Sequence, residues 1–279
     1  MPVGFIGLGH LGKAIAQRLI DCGEELLVYN RTAAKAEGIK AKRAGNIDEM
    51  ALECETIVFC LFDSSAVAAI LPQVLARRPQ ERLIVDLTTN RHRQALDFHR
   101  ACSDAGAEYL EAPVLGSVAP ATRGELTILV SGGQVAFQRA NALLAKIGKT
   151  IHFLGDAGAA TKMKLINNHL LGTFMAAIAE AIALGERAGI SRKQVIDILS
   201  AGAGNSGVFN AKKEKLLNGD YSPHFSAALI YKDLGYLLEL AHDLGHDANL
   251  AQTTRQLYER TTKDDPHARD FSVIFEYLK

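Results

Sequence analysis

Through the first 155 residues, short apolar runs of β type alternate with amphipathic stretches of helical period. "VGFIG" leads to a predicted helix over 10–22, "ELLVYN" to one over 32–42, and "TIVFCLF" to one over 65–77. "RLIVDL" is followed by a predicted helix over 91–105 and "LTILVSG" by one over 134–146, and "KTIHFLG" closes the series. Strands alternating with helices of that length imply βαβ units and a mostly parallel sheet covered on both faces. From about residue 157 the strand-like runs vanish, and the spacing predicts helices over 159–188, 191–201, 207–217, 226–244, 248–262 and 271–278. The expected organisation is an α/β domain over 1–156 and an all-α domain over 157–279, joined by the first of these helices. That helix is apolar on nearly every side and, unbroken, is about 43 Å long at 1.5 Å per residue. Such a length exceeds what one domain needs and suits a domain junction and a subunit interface. Near its start lie Lys164, Asn167 and Asn168, with Lys164 and Asn168 at i, i+4 spacing on one face.

Composition narrows the class. The 279 residues are 48% hydrophobic and 22% charged, with 31 basic and 31 acidic residues. This is ordinary for a globular enzyme and gives no footprint for nucleic acid or an acidic membrane surface. Cys22, Cys54, Cys60 and Cys102 show neither C-x-x-C spacing nor a Cys/His ligand pattern, so neither a disulfide framework nor a zinc site is expected and a reducing cytoplasm fits. The N-terminus runs straight from a strand into a glycine turn, without a basic region or cleavage site. The longest apolar run, 165–179, contains Asn167, Asn168 and His169 and is not read as a membrane span.

"GFIGLGHLGKAIAQRL" places Gly7, Gly9 and Gly12 in G-x-G-x-x-G spacing after the first strand and at the opening of a helix. In that context the turn reads as the pyrophosphate cradle of a Rossmann-type dinucleotide-binding domain, with phosphate charge on free N–H groups at the helix N-terminus. Leu8, His10 and Leu11 complete the turn, and Leu61 follows the "TIVFC" run at the same edge. The second strand ends "VYNRT" where an NAD site would place an acid. Asn30, Arg31 and Thr32 instead offer a 2′-phosphate no repulsion and one guanidinium, which favours NADP(H) over NAD(H). Asn30 or Thr32 equally serves as a helix cap with Arg31 solvated, and the two readings coexist.

Six segments in order, "GFIGLGHLG", "NRT", "DLTT", "EAPVLGSVAPATRGELTILVSGG", "GDAGAATKMKLINNHLLG" and "KDLGYLLELA", span nearly the whole chain. In these the chain resembles the β-hydroxyacid dehydrogenase family, which includes 3-hydroxyisobutyrate dehydrogenase, tartronate semialdehyde reductase and the glyoxylate/succinic semialdehyde reductases. The resemblance implies that Lys164 is catalytic and that Asn168 orients the substrate or the lysine. It further implies that Thr89 and Lys232 contact the cofactor side, that Gly116 and Ser117 cradle a substrate carboxylate, and that Phe225 matches an aromatic residue near the substrate. Relatives commonly read "APVSGG" or "APVSGS" where this chain reads "APVLGS". Leu115 donates no hydrogen bond, so the expected substrate is either bulkier and less polar or held through backbone N–H groups and Ser117. Arg91 and Arg93, where relatives usually carry a proline, read as a solvated helix face.

Hydride reduction of a carbonyl builds charge on oxygen and needs a proton donor within about 3 Å. A lysine desolvated at a domain junction, its pKa lowered towards neutrality, serves as acid in reduction and base in oxidation. Read from helical pattern alone, Lys164 could instead snorkel into solvent, as is expected of Lys162. His242 and His246 are at i, i+4 spacing, but Gly245 intervenes and no third ligand is evident, so they read as a helix end and no metal is expected. "DSSAV" at 63–67 reads as a helix cap. The expectation is an NADP(H)-dependent aldehyde or semialdehyde reductase that acts on a small molecule and assembles as a homodimer or homotetramer. An imine reductase on the same fold and a catalytically silent scaffold are the rival readings, and the lysine argues against both.

Overall fold

In the computed structural model, which describes residues 1–80 and 82–279, the first apolar run becomes strand β1 (Val3–Ile6). It is followed by α1 (His10–Asp21), β2 (Leu26–Tyr29), β3 (Lys42–Arg43), α2 (Ile47–Glu53), β4 (Thr56–Phe59), α3 (Ser64–Leu75), β5 (Leu83–Asp86) and α4 (His92–Ala105). Next come β6 (Glu108–Glu111), β7 (Val114–Leu115), α5 (Val118–Arg123), β8 (Leu126–Gly132), α6 (Gln134–Ile147) and β9 (Gly148–Phe153). The strands form one sheet in the order β3-β2-β1-β4-β5-β6-β8-β7, with β9 beside β8. Strands β1 to β6 run parallel, and the reversal of strand order between β1 and β4 creates the crevice where such sheets bind ligands. Successive side chains of β1 point to opposite faces. Phe5 joins Ile15, Leu19 and Val28 on one side, and Ile6 joins Met50, Phe59 and Leu71 on the other.

The predicted helix over 32–42 does not form. Ala33–Ala36 makes one 3₁₀ turn, Gly38 at φ 79° ends it, and Lys42–Arg43 pairs with β2 as an edge strand. Helix α2 follows, with Asn46 Oδ1 accepting from Glu49 N at 2.8 Å; the Asn-x-x-Glu spacing was its signal in the sequence. Strands β6 and β7 and helix α5 were also not anticipated. The pair reads as one irregular segment because Pro113, lacking an N–H, interrupts the ladder to β8.

The long helix is α7 (Ala159–Arg187). Contacts divide the chain into two compact units, Met1–Lys164 and Leu165–Lys279, with the division inside α7. The cause is that the first turn of α7 is bonded to the sheet through Glu111 and Ser131. In the second unit α8 (Arg192–Ala201), α9 (Gly207–Asn218), α10 (Ala227–Asp243), α11 (Asn249–Glu259) and α12 (Ile274–Leu278) follow the expected spacing. The predicted helices over 248–262 and 271–278 each include a 3₁₀ turn, at Arg260–Lys263 and Phe271–Val273. Met175, Ala179 and Ile182 of α7 pack with Phe209, Ile230, Leu234, Tyr258 and Phe275 into one core. By length and composition alone α7 is apolar enough to cross a membrane, with Asn167, Asn168 and His169 interrupting its apolar run. This packing accounts for its buried face.

Candidate active site

The glycine turn lies at the C-terminal end of β1. Gly7 has φ +104°, and a Cβ there would stand 2.3 Å from Cys60 O; a Cβ on Gly12 would stand 2.0 Å from Gly7 O. Packing therefore dictates both glycines. Gly9 is different: its φ of −68° suits any residue, and nothing lies within 4 Å of where its Cβ would be. It is also the N-cap of α1, with no side-chain cap and no acidic residue in the first turn, and His10 beside it is exposed while Leu11 is half-buried. An uncapped helix N-terminus behind an open glycine is what a pyrophosphate requires. The turn thus fits a dinucleotide.

Asn30 braces this turn. Its Oδ1 accepts from Leu8 N at 2.9 Å and its Nδ2 donates to Thr32 O at 2.9 Å. Arg31 and Thr32 are exposed, and Thr32 is N-cap to the 3₁₀ turn without a side-chain bond. Beyond β4, Leu61 N donates to Thr88 Oγ1 at 3.0 Å, and Asp63 Oδ1 caps α3 through Ala66 N at 2.8 Å. The loop after β5 is organised by buried Asp86, which accepts from Thr88 N at 2.9 Å, Asn90 Nδ2 at 2.7 Å and Tyr109 OH at 2.5 Å. Burial raises the Asp86 carboxyl above its ordinary value despite these bonds. Thr89 in this loop is half-buried, Arg91 is the N-cap of α4, and Arg93 is exposed.

Lys164 is buried, 8% exposed, and its Nζ donates to Val114 O at 2.8 Å, so it does not snorkel. Lys162 is half-buried, not fully solvated. Val114 and Leu115 form β7, and Gly116 follows at φ +122°, where a Cβ would meet Leu126 at 2.8 Å. Ser117 is N-cap of α5, yet its hydroxyl makes no capping bond. The lysine amine and the 115–117 loop are thus neighbours through one carbonyl.

In the second unit Asn168 is 1% exposed and donates through Nδ2 to Asp233 Oδ2 at 2.6 Å, while Asn167 donates to Asn168 Oδ1 at 3.1 Å. Asp233 Oδ1 lies 2.7 Å from Lys232 Nζ, an ion pair without hydrogen-bond geometry, and that amine also stands 4.7 Å from the Tyr236 ring centroid. Asp233, missed in the sequence, ties together two residues found there. Phe225 is half-buried and packs edge-on against Phe271, ring centroids 5.6 Å apart, which makes it part of the helical core. His242 is in the last turn of α10 and His246 follows Gly245 at φ 64°; among the described residues no group of three or more side chains suited to a metal occurs.

Glu111, Ser131 and Asp86 also escaped sequence reasoning. They stand abreast on β6, β8 and β5. Burial alone would raise the Glu111 carboxyl, but hydrogen bonds from His99, Thr161 and Gly158 outweigh it and hold it below the usual range.

A sheet of this order, opened at its switch point by a glycine turn, is the architecture of a Rossmann-type dinucleotide-binding domain, here followed by an all-helical one. Residues 2–155 match the family model of the NAD binding domain of 6-phosphogluconate dehydrogenase, and residues 158–278 that of the NAD-binding domain of NADP-dependent 3-hydroxyisobutyrate dehydrogenase. The chain belongs to the β-hydroxyacid dehydrogenase family. It is 29% identical to chloroplastic glyoxylate/succinic semialdehyde reductase 2 of Arabidopsis thaliana over 100% of this chain and 80% of that protein. The solved 3-hydroxyisobutyrate dehydrogenase of Salmonella typhimurium is 26% identical, covers 99% of each chain and superposes with a TM-score of 0.90. Psf3, solved with NADP+ and 2-OPP, is 26% identical over 99% of this chain and 100% of its own, with a TM-score of 0.89. The chain spans about half the length of the N-PAC nuclear factors that it also matches.

Proposed function

We propose that the protein is an NADP(H)-dependent reductase of small aldehydes or semialdehydes, with Lys164 as the proton donor. The observation that carries this is the buried Lys164 amine, held 2.8 Å from Val114 O beside the 115–117 loop. Gly7 to Gly12, Leu61 and Thr89 would hold the dinucleotide at the glycine turn, and it would supply the hydride when bound. Arg31 is exposed beside that turn, where a guanidinium meets a 2′-phosphate, which supports NADP over NAD. Lys164 gives a proton to the carbonyl oxygen as charge builds there, and its amine takes the proton back when the hydroxy acid is oxidised.

Ser117, free of capping duty, and Gly116 receive the substrate carboxylate; Leu115 sets an apolar wall. Asn168, fixed by Asp233, orients the substrate, and Lys232 serves the cofactor side. Phe225 acts from the helical core as packing. A spectrophotometric screen of NADPH oxidation against glyoxylate, succinic semialdehyde, tartronate semialdehyde and larger aldehydes tests the reading, and failure with every carbonyl despite tight NADPH binding would replace it with a silent scaffold.

The assembly proposed is a homodimer or homotetramer in the cytoplasm. Ile166, Leu170, Phe174 and Leu184 leave an exposed apolar stripe along α7, the kind of surface a second copy covers.

A further inference from the structure

The segment Glu111–Val114 grips α7 at two points. The Glu111 carboxylate, 1% exposed, accepts from Gly158 N at 2.5 Å through Oε1 and from Thr161 N at 2.9 Å through Oε2. Ser131 Oγ, from the neighbouring strand, accepts from Ala160 N at 3.1 Å, and Ala159 N reaches Asp156 O at 3.1 Å. Four successive N–H groups that a helix start leaves unpaired are thereby satisfied, three of them from the sheet. Gly158 is pinned from the other side: its φ is +86°, and a Cβ there would stand 2.6 Å from the His92 ring. Three residues after Glu111, Val114 O receives the Lys164 amine at 2.8 Å. Lys164 lies six residues beyond Gly158, about 9 Å along the axis at 1.5 Å per residue. A shift at the capped end is therefore carried directly to the lysine.

We infer that Glu111 is the positioning residue for Lys164: its carboxylate fixes the start of α7 against β6 and so sets where the lysine amine meets the substrate oxygen. The inference rests on the reading of Lys164 as proton donor. The negative charge is integral to it. A carboxylate presents acceptors at both oxygens to the positive end of the helix, and it occupies the place where α7 would otherwise bind an anion. α1, with no such cap, leaves its own N-terminus open for phosphate. A glutamine of the same shape keeps one acceptor and turns a donor towards the second N–H.

The test uses the full-length protein and the variants Glu111→Gln, Lys164→Ala and the two combined. Glu111→Gln is expected to lower kcat about 10- to 100-fold, the scale of a misplaced catalytic group, with NADPH affinity unchanged. It should also change the rate at which an amine-selective reagent labels Lys164, read by peptide mass spectrometry. Combined with Lys164→Ala, it should slow the reaction no further than Lys164→Ala alone, because it acts through that residue. A lowered melting temperature with wild-type kcat and labelling would overturn the inference, as would a double variant slowed by the full factor of Glu111→Gln on top of Lys164→Ala. Wild-type turnover by Lys164→Ala overturns the proton-donor reading itself, and the labelling rate still reports whether Glu111 holds the amine. Should Glu111→Gln fail to fold, Ser131→Ala removes the partner of Ala160 alone; a drop in kcat at constant NADPH affinity supports the inference, and an unchanged kcat contradicts it.

Discussion

The three glycines of the first turn separate packing from ligand binding, and alanine at each makes the separation measurable. At Gly12 a Cβ would sit 2.0 Å from Gly7 O, and at Gly7 it would sit 2.3 Å from Cys60 O with φ at +104°. Neither neighbour is a flexible side-chain end, so backbone must move, and the cost is expected at about 3 kcal/mol or more, in the range of overpacked, strained sites. At Gly9 a Cβ meets nothing within 4 Å and the backbone is already extended. Alanine there loses a modest N-cap preference of about 0.5 kcal/mol or more and gains about 0.4–1 kcal/mol from a less flexible unfolded chain. The two offset. Gly9→Ala should therefore unfold at the wild-type denaturant midpoint, whereas Gly12→Ala should be grossly destabilised. The same Gly9 methyl projects into the space assigned to pyrophosphate and should weaken NADPH binding by at least about 1.4 kcal/mol, a factor of ten, in a fluorescence titration. Wild-type NADPH affinity in Gly9→Ala, or destabilisation equal to that of Gly12→Ala, refutes the reasoning.

Arg31→Ala should weaken NADPH binding about tenfold while leaving NADH nearly unaffected; equal losses would remove the 2′-phosphate assignment. Glu111 has its folded-state pKa held below its ordinary value of 4.5. Its contribution to stability is therefore present above that value and lost as pH falls from 4.5 through the lower folded value. Urea midpoints measured down this acid range should fall less steeply in Glu111→Gln than in wild type, and parallel slopes would contradict the account of a carboxylate held charged by His99, Thr161 and Gly158. Leu170 is 50% exposed on the α7 stripe, and Leu170→Glu should shift sedimentation towards the monomer without loss of helical signal. A wild-type protein that sediments as a monomer at micromolar concentration would dispose of the interface.

The strand and helix periods made the α/β-then-α order readable, and the glycine spacing located the cradle. The errors cluster where local pattern and tertiary demand diverge. Residues 32–42 have helical spacing, but Gly38 takes a positive φ and Ile39 turns into the core, which leaves only one 3₁₀ turn. Lys164 and Asn168 were singled out through their motif, whereas the groups that the structure places around them were not. Glu111 and Asp233 are carboxylates in apolar segments, and their partners lie 50 and 65 residues away in the chain, a relation that no periodicity encodes. Phe225 was matched through the family resemblance alone; its packing against Phe271 is a tertiary contact across 46 residues that the motif does not encode.

Proton donation by Lys164 is the central claim, and one measurement addresses it directly: single-turnover NADPH oxidation by Lys164→Ala with whichever semialdehyde the wild type reduces fastest, alongside NADPH affinity. The expected result is a rate reduced about 100-fold or more, the scale of a lost general acid, at unchanged NADPH affinity. A rate close to that of the wild type would contradict the account.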